Sequence, residues 1–164
     1  MNRQIIFKHY WWIALMVGGV LALLAFCFGG DQRAGLVGGS VAGALGFCYF
    51  VQQQKLAETH LFYQLFTSFN QRYDAFNGPL SEMAGKGTDI TSEHRNLIVD
   101  YFNLCAEEYL FYQEGYIPRK VWRSWCRGMA WYLKRHPFKD VWNEEIKTES
   151  FYGLTEDAIR QGAA

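Results

Sequence analysis

Two long runs of uncharged residues occupy the N-terminal third of the chain. Residues 10–30 form a run of 21 and residues 34–51 a run of 18, separated only by Asp31, Gln32 and Arg33. At about 1.5 Å of rise per helical residue, the first run is long enough to cross a hydrocarbon core of roughly 30 Å, and the second is close to the minimum. Both runs are therefore predicted to be transmembrane helices.

The topology of this part follows from its short flanks. A cleaved signal peptide is the competing interpretation of the first run, but the second run completes a hairpin and argues against it. Arg3 and Lys8 precede the first run and Lys55 follows the second, whereas the loop carries only Arg33. Because Lys and Arg stay on the cytoplasmic side, both termini are predicted to be cytoplasmic.

Small residues recur at intervals of four along the second run, at Gly35, Gly39 and Gly43. Small residues at this spacing let helix backbones approach closely in lipid. The glycines are interpreted either as packing against the first run, near Gly18 and Gly19, or as a surface for homo-oligomerisation. Neither run contains an ionisable residue, so the pattern gives no indication of a proton or ion pathway.

After residue 51 the apolar residues recur at steps of three and four, which is typical of amphipathic helices. The first predicted helix covers residues 52–77, continues out of the membrane, and stops at Asn77-Gly78-Pro79. Residues 80–90 contain Gly85, Gly87 and Asp89 and are predicted to form a flexible loop.

Four further signals divide the remaining sequence. Thr91 or Ser92 is predicted to cap a helix that ends at Gly115, and Pro118 to begin a helix that runs to about Arg135. A short helix is predicted over residues 138–148, and Thr155 is predicted to cap a final short turn. The fold class is therefore all-α: a transmembrane hairpin over residues 1–51, followed by a cytosolic sensor domain over residues 52–164, built as a bundle of about four helices.

Composition narrows the classes of function. The 16 basic and 16 acidic side chains cancel, which excludes a chain-wide basic nucleic-acid binder. The four cysteines and four histidines show no metal-ligand spacing, so no metal or cofactor is predicted, and Cys105 and Cys126 are predicted to be free thiols in a reducing compartment.

No catalytic motif is present either. The chain lacks a glycine-rich phosphate loop, a zinc motif and a nucleophile elbow. Its acidic pairs, Glu107-Glu108 and Glu144-Glu145, consist of neighbours that point about 100° apart on a helix and cannot share one substrate. Solvated helix surface is predicted for both pairs, with Glu107 turned towards an arginine as the alternative. The chain is predicted not to be an enzyme.

The helix predicted after Pro118 separates charge from apolar surface. Projected at about 100° per residue, it places five cations on one side and its apolar residues on the other; the cations are Arg119, Lys120, Arg123, Arg127 and Lys134. Trp131 lies beside the cations, an arrangement suited to binding phosphates while a base stacks on the ring. A solvated surface, pairing with Glu107, Glu108 or Glu114, and attraction to anionic lipid head groups remain as alternatives.

Three short segments carry a resemblance to known proteins. They are YFNLCAEEY at residues 101–109, GYIP at 115–118 and VWRSW at 121–125, and they look like a family of small bacterial helical proteins. The layout of two spans and a small cytosolic domain also resembles membrane effectors of antiphage systems. These include type III CRISPR effectors that bind cyclic oligoadenylate and two-span effectors found with retrons.

This resemblance implies a function for the whole chain. The expected activity is that of an antiphage effector whose cytosolic domain senses an anionic ligand, with cyclic oligoadenylate as a candidate, and perturbs the bilayer through its spans. The alternative is a non-lytic membrane anchor or regulatory subunit whose helical domain docks a protein partner. Glycine repeats and the cationic helix favour the first, and the absence of a polar pore lining favours the second.

Overall fold

The computed structural model describes residues 3–86 and 90–164, with side chains for residues 9–85 and 90–164. Helix accounts for 87% of the described residues, which contain no strand, so the predicted all-α class is confirmed. The helices are α1 (Arg3–Phe28), α2 (Arg33–Lys86), α3 (Ser92–Gln113), α4 (Arg119–Leu133), α5 (Phe138–Glu145) and α6 (Glu156–Ala163). Single turns of 3-10 helix cover Gly30–Gln32 and Ile146–Thr148.

The chain forms two compact units, Met1–His60 and Leu61–Ala164. The α2 helix, 54 residues long, continues from the first unit into the second without interruption. This continuity agrees with the prediction of a helix that extends beyond the second apolar run. The domain boundary predicted after residue 51 marks where the chain is expected to leave the bilayer, and it stays a prediction.

In the first unit, α1 and α2 are both long and apolar enough to cross a membrane. The candidate spans are His9–Phe28 and a window within Gly30–Gly85. Large apolar side chains on them are exposed, including Trp12 at 69% and Phe28 at 84%. Apolar surface of this extent is unfavourable in water, and it accompanies the length and composition that make the two helices candidate membrane spans.

Contacts between α1 and α2 are concentrated at two places. A Cβ at Gly18 would lie 2.9 Å from the Ala44 Cβ, so the two backbones approach closely where Gly18 has no side chain. Near the start of α1, the Tyr10 hydroxyl accepts a hydrogen bond from Gln52 at 3.5 Å. A small buried cluster lies at the same level and consists of Tyr10, Ala14, Cys48 and Val51.

The second unit is held by a core rich in aromatic rings. Phe102 of α3 is fully buried, and its ring meets the Trp142 ring edge to face at 4.9 Å. Trp142 in turn stacks on Phe151 at 5.1 Å. The α6 helix packs so closely on α4 that a Cβ at Gly162 would overlap the Cys126 Sγ atom. All helices of this unit therefore contribute to one contiguous core.

The predicted end of the first cytosolic helix at residue 77 is wrong. The α2 helix continues through Pro79 to Lys86, so residues 80–86 are helical rather than a loop, while residues 87–89 lie outside the described residues. Proline inside a helix costs about 3 kcal/mol, but burying Leu80 and Met83 gives back roughly 1.5–3 kcal/mol each. Gly78 also lacks the Cβ that would clash with the proline ring in helical geometry.

The other predicted helix ends are close to those observed. The Thr91 hydroxyl accepts from the His94 amide at 3.3 Å and caps α3, and the chain turns at Gly115 with φ +80°. Pro118 directly precedes α4. Thr155 accepts from the Ala158 amide at 3.1 Å and caps α6, which is an eight-residue helix rather than a short turn.

The helical continuation past Pro79 predicts a large effect of truncating Leu80. Its side chain is 0% exposed, so Leu80→Ala should lower the free energy of unfolding by about 2–5 kcal/mol. Urea unfolding of the full-length protein in detergent, followed by tryptophan fluorescence, measures this. Leu61→Ala, at an exposed position of the same helix, is the control and should cost less than about 1 kcal/mol. Equal effects at the two positions would contradict the helical path.

Candidate functional site

The α4 helix carries the predicted cations on the side opposite its core residues. Trp122, Cys126 and Met129 are buried against the rest of the second unit. We call the opposite side the cationic face; it consists of Arg119, Lys120, Arg123, Arg127 and Lys134. All of these are exposed except Arg123, which is half-buried.

None of these five cations forms an ion pair in the part of the chain that the structure describes, and the Arg127 Nε atom donates to the Ala163 carbonyl at 3.3 Å. Two other basic side chains of the unit are paired: Arg95 lies 2.8 Å from Glu144 and from Glu145, and Lys139 pairs with Glu156. The cationic face therefore produces a local positive field in a chain of zero net charge.

Trp131 lies beside the cationic face and is 45% exposed. The Arg135 guanidinium lies over the indole, 3.4 Å from the ring centroid. One face of the ring is thus already covered by a cation, and a stacked base would use the opposite face. The predicted stacking of a base on Trp131 is therefore open to one face of the ring and not to the face that Arg135 covers.

The glycines of the second candidate span have no close neighbours among the residues that the structure describes. A Cβ built at Gly35, Gly39 or Gly43 meets no atom within 4 Å. Gly39 and Gly43 line a groove of about 440 Å³ between α1 and α2. The close contact between the two helices uses Gly18 instead, so the role of the three glycines in homo-oligomerisation stays a prediction.

A cavity of about 590 Å³ opens between α2, α3 and α4 of the second unit. Its walls are largely apolar and include four aromatic residues, Phe66, Tyr73, Tyr101 and Trp125. Glu108 lines the same cavity, and so does Lys120 of the cationic face. This cavity was not predictable from the sequence, because its walls come from three separate helices.

The environment of Glu108 differs from the predicted one. It is only 6% exposed, whereas a solvated position was predicted, so that prediction is wrong for Glu108. Its carboxyl makes no hydrogen bond to any residue that the structure describes. Every fully enclosed side-chain polar atom among these residues has a partner, so the Glu108 oxygens retain contact with solvent. The cavity that Glu108 lines is where that contact is available.

Burial determines the charge state of Glu108. Loss of hydration raises the pKa of Glu108 to about 8, the Arg72 charge opposes this rise, and the Glu107 charge adds to it. Glu107 itself pairs with Arg72, in agreement with the alternative that turned it towards an arginine. A spacing of three from Cys105 and four from Tyr112 places Glu108 on the apolar side of α3, and this spacing was the signal for its burial.

We expect the two cysteine thiols of the second unit to be unreactive. Cys105 and Cys126 are buried and free, and burial raises the pKa of each thiol. Among the described residues, no group of three or more His, Cys, Asp or Glu side chains is arranged to hold a metal ion. The residues with distinctive chemistry are therefore the cationic face and the cavity at Glu108.

Comparison of the chain with protein-family models, with curated proteins and with solved structures found no match. The resemblance to antiphage membrane effectors accordingly stays an expectation.

The raised pKa of Glu108 predicts how stability depends on pH. The folded state binds the proton more tightly than an unfolded glutamate of pKa 4.5, so stability should fall as the pH rises from about 4.5 to about 8 and then level off. Glu108→Gln should reduce this dependence. Chemical unfolding of the full-length protein at several pH values compares the two, with Glu114→Gln at an exposed position as control. Parallel pH profiles for wild type and Glu108→Gln would contradict the prediction.

Proposed function

We propose that this protein is a membrane-anchored effector of a prokaryotic antiphage defence system. Its helical unit binds an anionic ligand on the cationic face, and binding perturbs the bilayer through the two spans of an inner-membrane hairpin with cytoplasmic termini. Cyclic oligoadenylate is the trigger that the sequence resemblance favours. The spans associate into a homo-oligomer through the glycines at Gly35, Gly39 and Gly43.

The absence of ion pairs on the cationic face carries this proposal. Arg95 and Lys139 of the same unit are paired with glutamates, yet the exposed cations of α4 have no acidic partner among the described residues. Like charges held on one helix repel one another, and a bound anion relieves that repulsion. Phosphate oxygens are suited to this role because they accept charge-assisted hydrogen bonds from Arg and Lys.

The candidate spans support the second half of the proposal. They expose large apolar side chains, and residues 10–30 and 34–51 carry no Asp, Glu, Lys or Arg, so they have the composition of lipid-facing helices rather than of a selective channel. This absence of a polar pore lining is also the observation that favours the alternative, a non-lytic anchor that docks a protein partner. A ligand-binding measurement distinguishes the effector from the non-lytic anchor.

Charge reversal at the centre of the cationic face tests ligand binding. The full-length protein in nanodiscs of zwitterionic lipid should bind cyclic oligoadenylate, and binding should weaken as salt rises. Arg123→Glu should weaken it by about tenfold or more because it places a carboxylate opposite the phosphates. Isothermal calorimetry is the measurement. Lys147→Glu, an exposed position outside the cationic face, is the matched control and should bind like wild type.

Two results would contradict the proposal. Binding to vesicles of anionic lipid without any binding of oligonucleotide would assign the cationic face to the membrane surface. Absence of binding to either probe would leave the helical unit as a protein-docking module.

Replacement of glycines by leucine tests the proposed association surface. Gly39→Leu combined with Gly43→Leu places large side chains where backbones of neighbouring chains are proposed to touch, so crosslinked oligomers in membranes should be lost. Gly19→Leu, at an exposed glycine of α1 with no neighbour within 4 Å, is the control. Unchanged oligomer bands in the double variant would refute association through this surface.

A further inference from the structure

Two side chains of opposite charge line the cavity between α2, α3 and α4 without pairing with each other. Glu108 of α3 and Lys120 of α4 both belong to its walls, and neither forms an ion pair with any residue that the structure describes. Glu107, the neighbour of Glu108, is paired with Arg72. Both charges in the cavity are therefore available to a molecule that enters it.

The surroundings of Glu108 specify one group of such a molecule. The side chain is only 6% exposed, and the cavity gives its oxygens their contact with solvent. A ligand that displaces this water has to replace its hydrogen bonds, because an unpartnered buried carboxyl is unfavourable. A carboxyl presents at least one acceptor oxygen whether it is ionised or protonated. The ligand must therefore bring a hydrogen-bond donor to Glu108.

We propose that this cavity binds a zwitterionic amino acid with a large apolar side chain. The ammonium group of the ligand donates to the Glu108 carboxyl, its carboxylate meets Lys120, and its side chain lies against the apolar wall. This site is additional to the anion site of the proposed function, with which it shares Lys120.

The two charges favour a zwitterion over a simple cation or anion. An organic cation would be attracted by Glu108 but would also meet the positive charge of Lys120 and of the cationic face. An organic anion would be attracted by Lys120 but would lie against the Glu108 carboxyl. A zwitterion places each charge beside the opposite one, and an ammonium group at Glu108 favours the ionised carboxylate.

The remaining walls suit an apolar side chain. The rings of Phe66 and Trp125 lie within 12° of parallel with centroids 6.2 Å apart, so they pack on each other and form a wall rather than a slot. Val121 and Met129 add aliphatic surface on the side of α4. The cavity volume of about 590 Å³ is within the usual range for a small-molecule site.

Three probes that share one aromatic ring separate the contributions of the two charges. L-phenylalanine carries both charged groups, 3-phenylpropionate lacks the ammonium group, and phenethylamine lacks the carboxylate. Phenylalanine should bind about tenfold more tightly than either of the others, because it alone forms both charge-assisted hydrogen bonds. Equilibrium calorimetry measures this on the full-length protein in a maltoside detergent, whose head group carries no charge that competes for the site.

Variants assign each charge to its residue. Glu108→Leu removes the acceptor oxygens at similar size, so phenylalanine should bind it no more tightly than 3-phenylpropionate, whose own binding should not weaken. Lys120→Gln should reduce phenylalanine binding to that of phenethylamine. Arg119→Gln, at an exposed cation of α4 that is not among the lining residues, is the matched control and should bind like wild type. Thermal unfolding checks that each variant is folded, and the three probes on wild type decide the proposal without any variant.

Three results would overturn the assignment: no measurable binding of phenylalanine, equal binding of the three probes, or wild-type binding of phenylalanine by folded Glu108→Leu. Failure of this inference is distinct from failure of the proposed function. If cyclic oligoadenylate binds in a manner that depends on Arg123 while phenylalanine does not bind, the proposed function stands and the amino-acid site is wrong. If phenylalanine binding depends on Glu108 but cyclic oligoadenylate does not bind, the amino-acid site stands and the effector role is wrong.

Discussion

The ring of Phe102 is fully enclosed, and the rest of the second unit is arranged around the side of α3 to which it belongs. Phe102 contacts Trp142 at 4.9 Å, and the neighbouring Tyr101 ring meets Tyr132 of α4 at 5.2 Å. One helix is therefore packed against both α4 and α5. Burial of these large rings is the main favourable contribution to folding, since each removes on the order of 150–250 Å² from water.

This packing also sets the chemistry of Glu108. Residues three and four apart on a helix share a side, so the burial of Cys105 also turns Glu108 inward. The helix is held by its aromatic core, and Glu108 cannot rotate into solvent without displacing those contacts. The raised pKa of Glu108 is thus a consequence of core packing, and the cavity beside it is the space where the carboxyl retains contact with solvent.

Charge segregation is the second constraint on the molecule. The net charge is zero, but Glu107, Glu144 and Glu145 are paired with Arg72 and Arg95, and the cations of α4 are not paired within the described residues. Lys120 belongs to the cationic face and also lines the cavity.

Local signals in the sequence determined much of this structure. The caps at Thr91 and Thr155, the turn at Gly115 and the two faces of α4 were predictable because each depends on residues within one helical turn. The all-α class was predictable from the spacing of apolar residues. The candidate spans were predictable from the length of the uncharged runs, since each run is one continuous stretch of sequence.

Only the tertiary structure decided the path at Pro79 and the environment of Glu108. The local preference of Gly78-Pro79 is to end a helix, and it is outweighed by burial of Leu80 and Met83 in a core built from distant segments. The cavity requires walls from three helices that are far apart in the sequence. Local rules cannot give the burial of a side chain by such partners, because that burial depends on how the helices pack against one another.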